Sequence, residues 1–199
     1  MRSASHRFGA SFLPRFGPST AARLAHQRVH AAIPVVALDL WLARSTPWAL
    51  AAGSAIACMG LVIRGLAAGQ LHKHETLVTS GVYAATRNPL YLGSAVMGAG
   101  FAVAVDSVAG ALILFGYFAA FYPATIRREE QRLEARYGSA FTAYSGRVPR
   151  LWPRWPVQSP WSGFSWRWYW RNGEYAAAVG LVAGMAALAM RMVLRLAVG

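Results

Sequence analysis

Long apolar stretches alternate with short polar ones along most of this 199-residue chain. A helix that crosses the hydrocarbon core of a bilayer needs roughly 20 predominantly apolar residues. Residues 47–69 meet this requirement with Arg64 as their only charged residue, and residues 90–126 are too long for a single span. Asp106 and Ser107 interrupt the longer run near its middle. We therefore expect two closely connected helices there.

Two further stretches are weaker candidates for membrane spans. Residues 31–43 are short and carry Asp39, whereas residues 175–190 contain Gly180 and Gly184. The spacing of these two glycines is one that lets helix backbones approach each other closely. The whole pattern predicts an all-α integral membrane protein, a helical bundle with four to five transmembrane helices.

The polar segments complete the predicted organisation. We expect residues 71–89 to form a loop and residues 127–137 to form a helix outside the membrane, ended by Gly138. Pro, Trp and Arg recur over residues 149–170, which is typical of an irregular segment at the level of the lipid headgroups. The predicted units are a basic, disordered tail over residues 1–30, a membrane core over residues 31–153 with its motifs in residues 75–153, an interfacial segment over residues 154–174 and a last transmembrane helix over residues 175–199.

Composition supports the membrane class. Hydrophobic types make up 56% of the residues and charged types 14%, which is too apolar for an ordinary soluble domain of this length. The formal net charge is +13, but the basic residues lie between apolar runs, so we expect no nucleic-acid partner. Because Cys58 is the only cysteine, neither an intramolecular disulfide nor a thiolate metal cluster is expected.

The arginines also predict an orientation, because loops that stay in the cytoplasm retain Lys and Arg. With the N-terminal tail inside, the polar loop and the Arg-rich residues 127–171 are also inside. Only Arg44, Arg191 and Arg195 fall on the outer side. We expect a multi-pass protein of a bacterial inner membrane, with its polar segments facing the cytoplasm.

Four sequence blocks carry a family resemblance. They are LVTSGVY at 77–83, RNPLYLG at 87–93, RREEQRL at 127–133 and YGSAFTAYSGRVPRLWP at 137–153. Their order and spacing resemble the isoprenylcysteine carboxyl methyltransferase family, with kinship to the phospholipid N-methyltransferases. The resemblance implies methyl transfer with S-adenosylmethionine as cofactor. The cofactor cleft would lie on the cytoplasmic side, in the C-terminal half, where residues 77–89 meet the helix at residues 127–137.

The chemistry of the cofactor selects the candidate residues. Its carboxylate suits an Arg fork, its sulfonium an aromatic face, and its ribose hydroxyls a carboxylate acceptor. A tight polar turn between Gly81 and Pro89 brings such groups together. The candidate cofactor-binding residues are Val82, Tyr83, Arg87, Asn88, Pro89, Tyr91, Gly98, Gly100, Glu129 and Glu130; Arg87 and Asn88 are also the catalytic candidates, and no metal is expected. The glycine pair is identified through its similarity to the phospholipid methyltransferases.

Each candidate also has a purely structural interpretation. Arg87 could contact lipid phosphates, the tyrosines could belong to an interfacial belt, and the glycines could serve helix packing. Glu129 and Glu130 could face solvent and pair with nearby arginines. Helical spacing separates these two, because Glu130 shares an apolar stripe with Ile126 and Tyr137 whereas Glu129 is rotated away. A carboxylate on that stripe needs a partner, which could be the cofactor or Arg87.

The acceptor is less well specified. Asn88 stands where eukaryotic carboxyl methyltransferases have His, and an amide cannot shuttle a proton near neutral pH. The isoprenylcysteine substrate is therefore not carried over, and we expect a lipid or lipophilic acceptor that presents a carboxylate or hydroxyl. The alternatives are a phospholipid N-methyltransferase, an NADPH-dependent membrane reductase of the sterol reductase type, and a non-enzymatic scaffold or lipid-binding protein. Ser94 stands where the reductases have an acid, which disfavours the second of these.

Overall fold

The structure, a computed structural model, describes residues 18–72, 75–154 and 159–198. Over these ranges the chain forms helices and no strand. The helices are α1 (Pro18–Leu42), α2 (Pro47–Gln70), α3 (Val82–Ala85), α4 (Pro89–Val105), α5 (Val108–Tyr137), α6 (Ser139–Arg147), α7 (Trp166–Arg171) and α8 (Tyr175–Val198). The predicted all-α architecture is confirmed.

Within the described ranges, three helices, α2, α5 and α8, are long and apolar enough to cross a membrane. The shorter apolar helices are α4 and the part of α1 from His30 to Leu42. Together they form the helical membrane bundle that the hydrophobic pattern predicts. Because α4 and α5 are antiparallel neighbours, the start of α4 and the end of α5 lie at the same end of the bundle.

The helix ends follow local sequence signals. Asp106 adopts the left-handed conformation at φ 55° and ends α4, and the Ser107 hydroxyl then accepts the Gly110 N–H at the start of α5. This confirms the predicted division of the long apolar run. Gly138, at φ 51°, ends α5 as expected, since a residue without Cβ tolerates that backbone conformation.

Several predicted boundaries differ from the structure. Residues 127–137 are not a separate helix but the continuation of α5 beyond its apolar part, because nothing in the sequence breaks the helix there. The expected tail is helical from Pro18 onward, where Ala, Arg and Leu favour a helix, whereas residues 1–17 lie outside the described residues. Short helices α3 and α7 occur in segments that were expected to be irregular.

The closest helix packing joins α2 to α4 through glycines. A Cβ added to Gly53 would lie 2.5 Å from the Gly100 carbonyl oxygen, and one added to Gly60 would lie 2.6 Å from that of Gly93. The two backbones therefore touch directly, as small residues at helix interfaces allow. In α8, by contrast, a Cβ at Gly180 would meet nothing within 4 Å. The close approach expected at that glycine does not occur.

An ion pair joins α2 to the start of α8. Arg64 Nε lies 2.5 Å from Glu174 Oε1, and Arg64 Nη2 lies 3.0 Å from Glu174 Oε2. Glu174 is only 5% exposed, so this pair is well shielded from water. Asp39, the acidic residue of α1, is buried near the other end of the bundle and does not contact Arg64.

Candidate functional site

Two chain segments meet at the start of α4. The Arg87 N–H donates to the Pro149 carbonyl oxygen at 2.9 Å, and the Arg154 N–H donates to the Ala85 carbonyl oxygen at 3.0 Å. The Thr86 hydroxyl also donates to a carbonyl of the second segment, that of Arg150. These contacts hold the residues just before Pro89 against the segment that follows α6.

Glu130, near the end of α5, lies at the centre of this site. One of its carboxylate oxygens is 3.2 Å from Arg87 Nη2 and accepts the Asn88 amide at 3.3 Å. The other accepts Arg150 Nε at 2.8 Å and lies 2.7 Å from Arg150 Nη2. We call Glu130, Arg87, Asn88 and Arg150 the Glu130 cluster. It joins α5, the start of α4 and the segment after α6.

The Glu130 cluster has an excess of positive charge. Two guanidinium groups face one carboxylate, and Glu130 is only 7% exposed. Arg87 Nη1 donates to the Ser145 carbonyl oxygen, but its buried Nε has no hydrogen-bond partner among the described residues. The Arg150 side chain remains 52% exposed. The site can therefore accept a further anionic group that approaches from its open side.

Two buried tyrosines connect the chain segments next to the Glu130 cluster by hydrogen bonds. The Tyr144 hydroxyl donates to the Tyr83 carbonyl oxygen at 2.7 Å, and the Tyr83 hydroxyl donates to the Ala67 carbonyl oxygen at 3.3 Å. Burial raises the pKa of both hydroxyls well above the usual range, although the charge of Arg87 acts in the opposite direction on Tyr144. Both tyrosines therefore stay protonated and act as fixed donors at neutral pH.

The turn before α3 is also held internally. The Val82 N–H donates to Gln70 Oε1 at 3.0 Å, and Gln70 Nε2 donates to the Pro160 carbonyl oxygen at 2.5 Å. A Cβ at Gly81, where φ is 59°, would collide with the Gln70 side chain. Val82 and Tyr83 thus pack the end of α2, and neither presents its side chain to the Glu130 cluster. Their expected contacts with the cofactor remain predictions.

Aromatic side chains line the contact between α4 and α5. Tyr91 meets Tyr122 edge to face, with ring centroids 5.6 Å apart, and Tyr122 meets Phe118 at 4.4 Å. Gly98 faces the Phe118 ring, since an added Cβ would lie 2.5 Å from it. We call Tyr91, Phe118 and Tyr122 the aromatic wall. It begins next to the Glu130 cluster, because the Tyr91 N–H donates to the Asn88 carbonyl oxygen at 3.1 Å.

The structure brings some of the predicted site residues together and separates others. Arg87, Asn88 and Glu130 are in contact, and the predicted inward orientation of Glu130 is confirmed. Glu129 instead has a half-exposed side chain 3.8 Å from Arg132, so it lies outside the cluster. Gly100 is buried against the α2 backbone, which leaves no room for a cofactor there.

The sequence did not identify Arg150 as a site residue. It lies in the last block of the resemblance, residues 137–153, and this chain has many other arginines. Its one distinguishing signal is the preceding Pro149, which favours an extended backbone at Val148 and so ends α6 just before Arg150. Only the fold shows that this turn returns to Glu130.

The described residues contain no group of three or more His, Cys, Asp or Glu side chains that could hold a metal ion.

A fully buried Pro89 begins α4 directly after Asn88. Pro suits the first helical position because it has no N–H to leave unsatisfied there. Its ring also fixes the backbone angle φ, which sets the direction in which α4 leaves the cluster. Pro89 therefore positions the site without offering a polar contact to a ligand.

Two bacterial proteins are similar to this chain over part of its length. The cobalt-zinc-cadmium resistance protein CzcN of Cupriavidus metallidurans is 38% identical over 82 residues, which cover 41% of this chain and 38% of that protein. The nickel-cobalt-cadmium resistance protein NccN of Alcaligenes xylosoxydans xylosoxydans matches with the same identity and the same coverage. The match thus spans less than half of each relative's length. No solved structure matches the chain.

The family comparison covers more of the chain. The phospholipid methyltransferase family matches residues 28–140, which is more than half of the sequence. This range includes the turn before α4, the aromatic wall and Glu130. The chain belongs to the phospholipid methyltransferase family.

Proposed function

We propose that this protein is a membrane-embedded methyltransferase that uses S-adenosylmethionine and methylates an amphiphilic acceptor. The observation that carries the proposal is the Glu130 cluster, a buried carboxylate between two guanidinium groups at the start of α4. Membership of the phospholipid methyltransferase family supports the reaction class. The apolar helices around the site support an acceptor that is reached from the membrane.

The donor set of the cluster fits this cofactor. The half-exposed guanidinium of Arg150 suits a carboxylate, because Arg forms charge-assisted hydrogen bonds to that group. The Glu130 carboxylate suits a hydroxyl or an ammonium group. Tyr91, next to the cluster, offers an aromatic ring to a cation. When bound, S-adenosylmethionine supplies an electrophilic methyl group. The residues of the chain bind the cofactor, orient it toward the acceptor and exclude water from the site.

The aromatic wall indicates how an acceptor could reach the site. Tyr91, Phe118 and Tyr122 lie between α4 and α5, and the wall begins where the membrane-facing part of α4 meets the Glu130 cluster. A lipid tail could lie along these rings while its head approaches Asn88. We therefore propose a membrane-partitioning acceptor rather than a water-soluble one.

The polar head of the acceptor is inferred from how charge changes during methyl transfer. When a carboxylate attacks a sulfonium methyl group, opposite charges are neutralised, and a site that excludes water favours that change. An amine must first lose a proton, and the Asn88 amide, which already donates to Glu130 and to the Arg150 carbonyl oxygen, cannot take it. A carboxylate head is proposed on this basis, because it is already deprotonated at neutral pH whereas a hydroxyl, like an amine, would first have to lose a proton. A phospholipid amine is the alternative that the family supports.

Titration of the detergent-purified chain tests the cofactor assignment. S-adenosylmethionine and S-adenosylhomocysteine should both bind, whereas NADPH should not. Glu130→Gln should weaken binding by about 1 to 3 kcal/mol, the usual cost of an unmatched charged hydrogen bond, and Glu129→Gln should weaken it less. Binding of NADPH alone would select the reductase alternative. Binding of none of the three would select the scaffold.

A further inference from the structure

A cavity of about 380 Å³ lies at the end of the bundle opposite the Glu130 cluster. Its lining includes Arg44, Arg191, Arg195 and Trp41. These three arginines are the ones that the charge pattern assigned to the outer side, and the fold brings them to a single place. We call this the arginine cavity. Its volume is in the range of ordinary ligand pockets.

Backbone carbonyls hold two of the guanidinium groups in place. Arg191 donates to the Trp41 carbonyl oxygen at 2.5 Å, and Arg195 donates to the Ala43 carbonyl oxygen at 3.3 Å. The last carbonyls of a helix lack partners within that helix, so these contacts satisfy the end of α1. They also fix two cationic groups from α8 side by side at the cavity.

No carboxylate lines the arginine cavity among the described residues, and none of its three arginines forms an ion pair there. Two carboxylates lie at the same end of the bundle: Asp39 is buried beside Gly110, and Asp106 accepts a hydrogen bond from the Thr46 hydroxyl at 3.1 Å. The lining includes the residue before the N-terminus of α5 and the residue after the C-terminus of α1, where the helix dipoles have opposite signs. The positive charge that favours an anion therefore comes from the arginines themselves.

The surroundings indicate that this anion belongs to a lipid. Trp41 is 69% exposed and Trp48 is 86% exposed, and Trp is the side chain typical of the boundary between headgroups and hydrocarbon. Val182 and Met190, exposed apolar residues that precede Arg191 in α8, extend from the level of the cavity toward the middle of the bundle. An acyl chain could contact this surface while its phosphate lies among the arginines.

We propose that the arginine cavity binds the phosphate headgroup of an anionic phospholipid. This site is separate from the proposed methylation site, because α4 has 17 residues and therefore spans roughly 25 Å between the two ends. A lipid held here would be a structural or regulatory ligand and not the methyl acceptor. The proposal does not depend on the proposed reaction.

Lipid retention by the full chain tests the proposal. The protein in uncharged detergent is titrated with phosphatidylglycerol or phosphatidylcholine, and bound lipid is measured by native mass spectrometry. Phosphatidylglycerol should bind more tightly. The double variant Arg191→Gln/Arg195→Gln should lose about fivefold in affinity for each arginine removed. The double variant Arg128→Gln/Arg132→Gln, which removes two exposed arginines from α5, should bind as the wild type does.

A milder variant guards against misfolding, since Arg191 and Arg195 also complete the end of α1. Arg44→Gln leaves those carbonyl contacts intact and should still weaken phosphatidylglycerol binding about fivefold. Equal binding of the two lipids, or unchanged affinity in Arg44→Gln, would overturn the proposal. Displacement of the lipid by an equal concentration of inorganic phosphate would also overturn it, because the cavity would then be a site for free phosphate.

Discussion

At the scale of single residues, Glu130 decides the geometry of the candidate site. Its carboxylate contacts Arg87, Asn88 and Arg150, which come from segments far apart in the sequence. Such partners offset the cost of burying an ionised carboxylate. Glu130 is therefore both a structural centre and the proposed binding group for the cofactor.

Replacing Glu130 should destabilise the protein even without cofactor. Glu130→Gln removes the charge that balances Arg87 and Arg150, and we expect a loss of about 1 to 3 kcal/mol in the free energy of unfolding. Glu129→Gln changes a half-exposed residue and should stay within about 0.5 kcal/mol of the wild type. Unfolding in mixed detergent micelles measures both. Similar values for the two variants would show that the Glu130 cluster contributes little to stability.

The sequence predicts some of these residue contacts but not all of them. The position of Glu130 on an apolar helical stripe indicates its inward orientation and its need for a partner. Arg150 was missed because its contact depends on the path of the chain after α6, which no local pattern specifies. The burial of Tyr83 against α2 was also not predicted, because a buried tyrosine and an interfacial tyrosine look alike in sequence.

At the scale of elements, the contact between α2 and α4 positions the site. The glycines of both helices allow their backbones to touch, and α4 begins directly after Asn88. The sequence contains small-residue spacing in α2, α4 and α8, but it does not specify which of these faces another helix. Gly100, a cofactor candidate through the family resemblance, has the packing role that was its alternative, and of the α8 glycine pair only Gly184 meets another helix, at the Phe101 ring.

Two glycine substitutions test this packing. A methyl group at Gly100 would lie 2.5 Å from the Gly53 carbonyl oxygen, so Gly100→Ala should lower the free energy of unfolding by about 1 to 3 kcal/mol, the usual cost of overpacking. Gly180→Ala, with open space at that position, should be neutral or stabilising, because Ala favours helices more than Gly does. Unfolding in micelles compares the two. A stable Gly100→Ala variant would contradict the close approach of α2 and α4.

At the scale of the whole molecule, the helix directions place the Glu130 cluster at one end of the bundle and the arginine cavity at the other. The hydrophobic pattern predicts the all-α architecture and most of the spans, since each span is set by its own composition. It does not predict that α5 continues without a break from its apolar part to Tyr137. That continuity is what carries Glu130 beyond the apolar part of the helix to the start of α4.

The orientation of the molecule can be measured by cysteine labelling in a background where Cys58 is replaced by Ala. Cysteines introduced at Ser80 and Ser139, both exposed at the end with the Glu130 cluster, should react only from the cytoplasmic side, as the arginine distribution predicts. A cysteine at Trp48, exposed at the other end, should react only from outside. If cysteines at Ser80 and Ser139 reacted from opposite sides of the membrane, the two segments that form the proposed site could not meet, and the proposal would be wrong.

The central claim is that the chain transfers a methyl group to a membrane amphiphile, and transfer of radiolabel tests it most directly. Purified protein is incubated with S-adenosylmethionine labelled in its methyl group and with total membrane lipid, and the product is extracted and treated with mild alkali. We predict lipid-soluble label that is released as methanol for an ester, with Glu129→Gln active and Glu130→Gln impaired. Alkali-stable label in a lipid amine would show that the acceptor is a phospholipid amine and not the proposed carboxylate. Label found only in water-soluble products, or no transfer by the folded protein, would contradict the account.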